Sequence, residues 1–256
     1  MGKDAYYFTS RAMPKFGRLY FLKALQEASS DGGGESLLGS VAQSVCDSRF
    51  IGLWCMEHFP VPAHMSRPRI VREFIERRKS RLNLRPEDSV VLTQNLLPAQ
   101  SSIEVSRKYV FGAEAGPFPA VPVTLGIDID YSLADSVSMQ FGPDARLQYI
   151  PLGYLGQAYS VVSGDSKQID PSGVLEDNYV IDSILMAKEF EVRFTSTKTF
   201  TASFQAKLEA FKKIPAVSAK VKYELVDKHT LVARVQGSDY YLVALGASEW
   251  DHLDLT

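Results

Sequence analysis

The sequence predicts an α+β chain in which a basic, helical first third precedes a long run of mostly antiparallel strands. Three observations carry that expectation. Glu191, Arg193 and Thr195 alternate with Phe190, Val192 and Phe194, the period of two that a sheet with one wet and one dry face requires. Residues 1–85 hold 14 Lys/Arg against 8 Asp/Glu, whereas residues 86–256 hold 14 against 22. Near residue 86 the texture also shifts, from helical spacing to branched and aromatic runs bounded by Gly and Pro.

At 256 residues and 45% hydrophobic, the chain can bury a sizeable core, and it reads as a single unit over 1–256, with 1–85 mainly helical and 86–256 mainly β. No apolar run reaches the roughly 20 residues that a helix needs to span a bilayer. The first residues, Met1-Gly2-Lys3-Asp4-Ala5-Tyr6-Tyr7, lack the apolar stretch of a secretory signal, so a cytoplasmic chain is expected. Tyr6 stands where a myristoylation pattern wants Ser or Thr. The two cysteines, Cys46 and Cys55, suit a reducing compartment. Together with His58 and His64 they match no compact zinc knuckle, and no metal or other cofactor is expected.

From Pro14 to Ala28, Phe16, Leu19, Tyr20, Leu22 and Leu25 recur near the helical period, with Lys15, Arg18 and Lys23 among them. This predicts an amphipathic, basic helix that ends at Gly32-Gly33-Gly34. No Lys-Ser/Thr follows the glycines to make a phosphate-binding loop. Leu37 to Met56 predicts a short helix and a strand near Phe50–Met56. From Ser66 as N-cap, Ile70, Val71, Phe74, Ile75 and Leu82 mark the dry side of a second helix, which Asn83 and Pro86 stop. That helix carries Arg67, Arg69, Arg72, Arg77, Arg78, Lys79, Arg81 and Arg85 against only Glu73 and Glu76. Such a patch suits phosphates, whether of lipid, nucleic acid or an acidic surface.

Strands are expected at Val90–Thr93, Ile103–Phe111 and Val121–Tyr131. Asp128 and Asp130 share a strand face, and with Asp135 they form the one carboxylate cluster that could serve an enzyme, without a supporting His or Lys. Residues 142–164 read as a strand entering a Gly-punctuated loop, with no Gly-x-Ser-x-Gly elbow. Val180–Lys188 is an apolar run leading into the alternating segment. After the turn-like Ser196-Thr197-Lys198, Phe200, Ala202 and Phe204 resume the period of two, which predicts an amphipathic hairpin. Val221-Tyr223-Leu225, Leu231-Ala233-Val235 and Tyr241-Val243-Leu245 complete a meander, with turns at Asp227-Lys228 and Gly237-Ser238-Asp239.

The order from Asp177-Asn178-Tyr179-Val180-Ile181-Asp182-Ser183-Ile184-Leu185-Met186-Ala187-Lys188-Glu189 into Phe190-Glu191-Val192-Arg193-Phe194, then a polar turn, a second strand, Val221-Lys222-Tyr223-Glu224 and a closing strand, resembles the end of the gasdermin pore-forming domain. The resemblance is one of pattern and covers about a third of the chain. It implies a twisted, mostly antiparallel sheet flanked by helices, and a protein without enzymatic activity. The implied protein is cytoplasmic when inactive. At the plasma membrane it binds acidic lipid, oligomerises with itself or a related chain, and inserts β-hairpins to cause lytic cell death.

Because the chain ends soon after its last strand, the resemblance points to a short fungal or bacterial form without a C-terminal repressor domain. Carried over by position, Ile184, Phe190, Val192, Phe194, Phe200, Ala202 and Phe204 would belong to the inserting hairpin. Lys15, Arg18 and Lys23 would meet lipid, to which the electrostatic pattern adds Arg72, Arg77, Arg78, Lys79 and Arg81. No nucleic acid is expected on this reading. The alternative is a soluble α+β module that docks an acidic partner or nucleic acid through the basic helix.

Overall fold

The computed structural model describes residues 6–10, 19–28, 37–46, 58–66, 69–96, 102–106, 136–176, 178–197, 199–200, 202, 206, 209 and 221–255. In chain order these form β1 (Tyr6–Ser10), β2 (Leu19–Ala28), β3 (Val41–Cys46), β4 (His58–Ser66), α1 (Ile70–Arg77), β5 (Leu92–Asn95), β6 (Ser102–Ser106), β7 (Ser136–Phe141), β8 (Arg146–Tyr149), α2 (Leu152–Val161), β9 (Tyr179–Thr195), β10 (Val221–Asp227) and β11 (Thr230–Glu249). Short 3-10 turns lie at Lys79–Leu82, Ser166–Gln168 and Trp250–Leu255. The architecture is α+β, and every pairing among the described strands is antiparallel.

Two long strands form the spine. β9 and β11 run antiparallel from Tyr179↔Glu249 to Thr195↔Thr230, and shorter strands are set end to end along both outer edges. Beside β9 lie β3 at Tyr179–Val180, β8 at Ser183–Met186 and β7 at Phe190–Thr195. Beside β11 lie β10 at Thr230–Val235 and β2 at Tyr240–Gly246. Between those two neighbours the register with β9 jumps from Gln236↔Glu189 to Tyr241↔Ala187. The expected turn at Gly237-Ser238-Asp239 is this irregular stretch inside one continuous strand.

Burial divides the spine into two regimes. Tyr179–Ala187 and Tyr241–Ala247 are buried throughout, as apolar runs covered on both faces should be. Beyond the jump, Phe190, Val192 and Phe194 are buried, whereas Arg193 and Thr195 are exposed and Glu191 is half-buried. The doubly buried end meets the helices. Val71 and Ile75 of α1, Leu155 and Ala158 of α2, Leu82, Trp250 and Leu253 share one core with Val180, Ile181, Ile184, Met186 and Leu245. Tyr159 and Trp250 pack ring to ring at 5.4 Å.

The amphipathic helix at α1 forms as expected, with Val71 and Ile75 one turn apart on its dry side, but it starts three residues later than Ser66 as N-cap would place it. Ser66 is the last residue of β4. The helix is entered through Arg69 in the left-handed region, whose N–H donates to the Ser40 hydroxyl at 2.9 Å. Gly39, at φ +78°, passes so close that a Cβ would stand 2.5 Å from the Arg72 backbone nitrogen. Its N–H donates to the Ile181 carbonyl, and its own carbonyl accepts from Val71 N–H, which ties α1 to β9.

Several sequence expectations are corrected. Leu19–Ala28 is a strand, not part of a basic helix, and residues 1–85 contain four strands with α1 as the one α-helix among the described residues. The reason is pairing: β2 is held between β1 and β11, and that ladder outweighs the helix propensity of its Leu, Ala, Lys, Gln and Glu. Leu37–Ser40 is a turn before β3. Residues 152–161 form α2 instead of a loop, since Leu155 and Ala158 bury one face while Gly153 stays on the exposed one. After β9, Ala202, Ala206 and Glu209 are helical and exposed, so the second strand of the expected hairpin is absent at Ala202. Phe200 is buried outside any strand, its N–H donated to the Lys228 carbonyl at 2.9 Å. Phe50–Met56 and Val121–Tyr131, including Asp128 and Asp130, lie outside the described residues, as does Asp135.

At Gly246 a Cβ would stand 2.8 Å from the Asp182 carboxylate and collide with the Ser183 hydroxyl, whereas at Gly153 it would meet nothing within 4 Å. Gly246→Ala is therefore expected to destabilise by about 1–3 kcal/mol and Gly153→Ala to stabilise by up to about 1 kcal/mol. Urea unfolding of the two variants checks both signs.

Candidate functional site

The single-faced end of the spine holds a continuous apolar field. Register places Phe141, Phe190, Val235 and Val221 in one row across β7, β9, β11 and β10. Met139, Val192, Ala233 and Tyr223 form the next row, and Phe194 and Leu231 continue it. All ten side chains are buried, and none belongs to the core beneath the helices. The Phe141 and Phe190 rings lie 6.4 Å apart. Burial pushes the Tyr223 phenol pKa well up.

The opposite face of the same strands is a ladder of charge. Arg234 of β11 donates to Glu224 of β10 at 2.5 Å and to Glu191 of β9 at 2.9 Å, and Arg193 reaches Glu191 at 3.1 Å. The hydrogen bonds to Glu224 and then Glu191 raise the Arg234 pKa. Each carboxylate is thus matched across a strand boundary, with Lys222 and the buried Val232 on the same face.

The predicted hairpin residues separate on this map. Phe190, Val192 and Phe194 lie together in the apolar field. Ile184 lies instead in the doubly buried zone with Met186 and Leu245, under the helices. Phe200 is buried beside the β10–β11 turn, Ala202 is exposed on a helical segment, and Phe204 lies outside the described residues. Of the predicted lipid-meeting cations, Lys15 and Arg18 lie outside the described residues, and Lys23 sits in the middle of β2.

The structure does gather Arg72, Arg77, Arg78, Lys79 and Arg81 on α1 and the following turn, but most are already engaged. Arg72 pairs with Glu76 at 2.8 Å and Arg77 with Glu73 at 2.9 Å. Lys79 donates to the carbonyls of Pro86 and Asp88, and the Arg78 guanidinium lies 5.4 Å over the Phe74 ring. Arg85 is held by Asp88, whose own pKa is lowered by the hydrogen bonds it accepts from the Arg85 backbone and side chain. Arg81 faces a groove of about 370 Å³ formed with Asn83, Gly153, Gln157, Ser160 and Leu253. Exposed pairs of this kind are each worth about 0–1 kcal/mol. They nevertheless match two of the five cations, Arg72 and Arg77, with a carboxylate.

Sequence reasoning missed a buried acid. Asp182 is the extra residue of a bulge in β9, where Ile181, Asp182 and Ser183 face only Ala247 and Gly246. Its carboxylate accepts from the Ser183 and Ser248 hydroxyls, both at 2.6 Å, and no cation pairs with it among the described residues. The available signal was Asp182 itself, the one charged residue between Tyr179 and Ala187. No group of three or more His, Cys, Asp or Glu among the described residues is placed to hold a metal, and Cys46 and His58 are partners only in the backbone register of β3 and β4.

Comparison with known proteins finds no matching family model and no matching curated protein. Among solved structures, a bacterial gasdermin from Bradyrhizobium tropiciagri is similar at 12% identity over 66% of this chain and 68% of that one, with a TM-score of 0.27. A likeness at that level assigns no function.

Burial raises the Asp182 pKa, and the two serine hydroxyls pull it the other way. The folded chain therefore keeps this proton to higher pH than the unfolded chain. Stability falls as pH rises from the ordinary carboxylate value of about 3.9 through the raised folded one. Asp182→Asn removes that term. The melting temperature of the variant relative to wild type should climb with pH across this window, and parallel curves would remove the buried proton as the cause.

Proposed function

We propose that this chain is a membrane-permeabilising protein of the gasdermin kind. It rests in the cytoplasm and meets acidic lipid at the plasma membrane. There it oligomerises with copies of itself or a related chain and opens lytic pores through inserted β-strands. The observation that supports this reading is the two-faced end of the spine, with an apolar field over β7, β9, β11 and β10 backed by the Glu224–Arg234–Glu191–Arg193 ladder.

A membrane barrel needs that pattern. Every backbone N–H and C=O in lipid must be paired within a closed sheet, with apolar side chains toward lipid and polar ones toward the lumen. Strands of about 9–11 residues suffice to cross, and β9 and β11 have 17 and 20. In the resting chain the apolar face is buried, so permeabilisation requires exchanging its present cover for lipid. The alternative of a soluble module docking through α1 has weaker support, because Glu73, Glu76 and Asp88 already take up Arg77, Arg72 and Arg85.

Dye release from vesicles with and without acidic lipid tests the proposal. Release is expected from the acidic vesicles and should be lost in Phe190→Asp and Phe194→Asp. A cation on a lipid-facing strand costs about 2–4 kcal/mol per subunit at the midplane, and Asp somewhat less. Because both side chains are buried in the resting chain, each variant is scored per folded molecule by circular dichroism. Release that persists in both folded variants, or that proceeds equally from neutral vesicles, overturns the reading.

A further inference from the structure

We propose that Arg146, Lys188 and Tyr240 form a binding site for a phosphate-bearing anion at the bend of the spine. The three residues come from different strands, β8, β9 and β11, and register brings them to one face. Arg146 is paired with Met186, Lys188 stands two residues further along β9, and Tyr240 stands two residues before Leu242, the partner of Met186. The contacts agree: the Arg146 guanidinium lies 3.9 Å from the Tyr240 ring centroid and the Lys188 ammonium 5.0 Å from the same centroid.

Two cations gathered on one half-buried ring repel each other, and the repulsion grows as water is excluded. The quadrupole of one tyrosine ring offsets only a fraction of that. Neither cation has an ion pair among the described residues. Glu189, beside Lys188, points to the other face of β9, and Asp239 hydrogen-bonds to Ser238. The Nε of Arg146 is buried with no acceptor, an orphan donor of the kind that folded proteins nearly always satisfy. An oxyanion between guanidinium and ammonium would cancel the repulsion, and phosphate geometry suits the guanidinium with a Lys point charge beside it.

The surroundings leave such a ligand room. Asn95 of β5, opposite Arg146, is exposed. The register jump at Gln236/Tyr241 lifts Gly237–Asp239 out of the ladder with β9 directly before Tyr240. The site is separate from the Arg-rich helix, on which neither Arg146 nor Lys188 lies, and it does not depend on the pore-forming proposal.

The phosphate can come from a free anion or a lipid headgroup, and two arms separate these sources. In the first, melting temperature is followed against inorganic phosphate at constant ionic strength maintained with chloride. In the second, sedimentation compares phosphatidylcholine vesicles with and without phosphatidylinositol phosphate. A rise in melting temperature with phosphate, or selective vesicle binding, is expected for the wild type. In Lys188→Gln and Arg146→Gln the apparent affinity should fall by about tenfold or more, and Arg146→Lys should keep only a fraction of it, because the fork is lost. Lys188→Gln carries the test if Arg146→Gln does not fold. A response in the first arm identifies a free phosphate and one in the second alone a headgroup. Indifference of the wild type in both arms, or variants that respond as the wild type does, overturns the site.

Discussion

The antiparallel pairing of β9 with β11 is the constraint on which the rest of the molecule depends. Every other described strand except β1, β4, β5 and β6 pairs directly with one of these two, and those four attach through β2, β3, β8 and β7. Long strands twist, and a pair this long cannot keep one uniform register. Two of the three irregularities fall where the neighbours change, and the third, at Leu242/Ala244, lies within the stretch that β2 flanks. β11 slips at Gln236/Tyr241, between β10 and β2, and β9 carries its bulge at Asp182, between β3 and β8.

That bulge explains an otherwise costly choice. A carboxylate in a doubly buried strand loses its hydration, and without a cation it retains only the hydrogen bonds of Ser183 and Ser248. Both hydroxyls and Gly246 are needed together, because a side chain at 246 would fill the space that the acid and Ser183 occupy. On the neighbouring strand's approach, Gly39 has the corresponding role, since it lets α1 sit directly on β9. Close approach at these two glycines brings the helical layer onto the spine.

The regions of the fold legible in the sequence were those where one face is wet. Phe190 to Thr195, α1 and the β10–β11 hairpin follow their periods because water and core impose opposite demands on alternate residues. Where both faces are covered, period carries no signal. Pairing is as silent in the period: β2 is held at both edges, by β1 and β11, and its Leu19, Tyr20, Leu22 and Leu25 fit a helical stripe by accident. Phe200 and Phe204 stand four apart, a spacing that fits period two and a helical turn equally, so the sequence could not show that Ala202 is helical. The engagement of Lys79 was also invisible, since it finds the Pro86 and Asp88 carbonyls only once the chain turns at Asn83. The meeting of Arg146 with Lys188 on Tyr240 needs three strands in register, which spacing along one chain cannot reveal.

The two regimes of the spine differ in what rearrangement would cost. Between Tyr179 and Ala187, leaving the fold would uncover both faces of a strand and expose the helical core at roughly 25 cal/mol per Å². From Lys188 to Thr195, only one face is apolar, and its opposite side already meets water through Arg193 and Thr195. A change of partner layer is therefore cheapest beyond the register jump, with the doubly buried half remaining as an anchor. The boundary falls at Lys188 and Tyr240, where β11 leaves its ladder with β9 for four residues and two cations meet on one ring. Charge placed at that boundary therefore lies at the junction between the doubly buried and the single-faced half of the spine, whereas the ion pairs on α1 lie away from it.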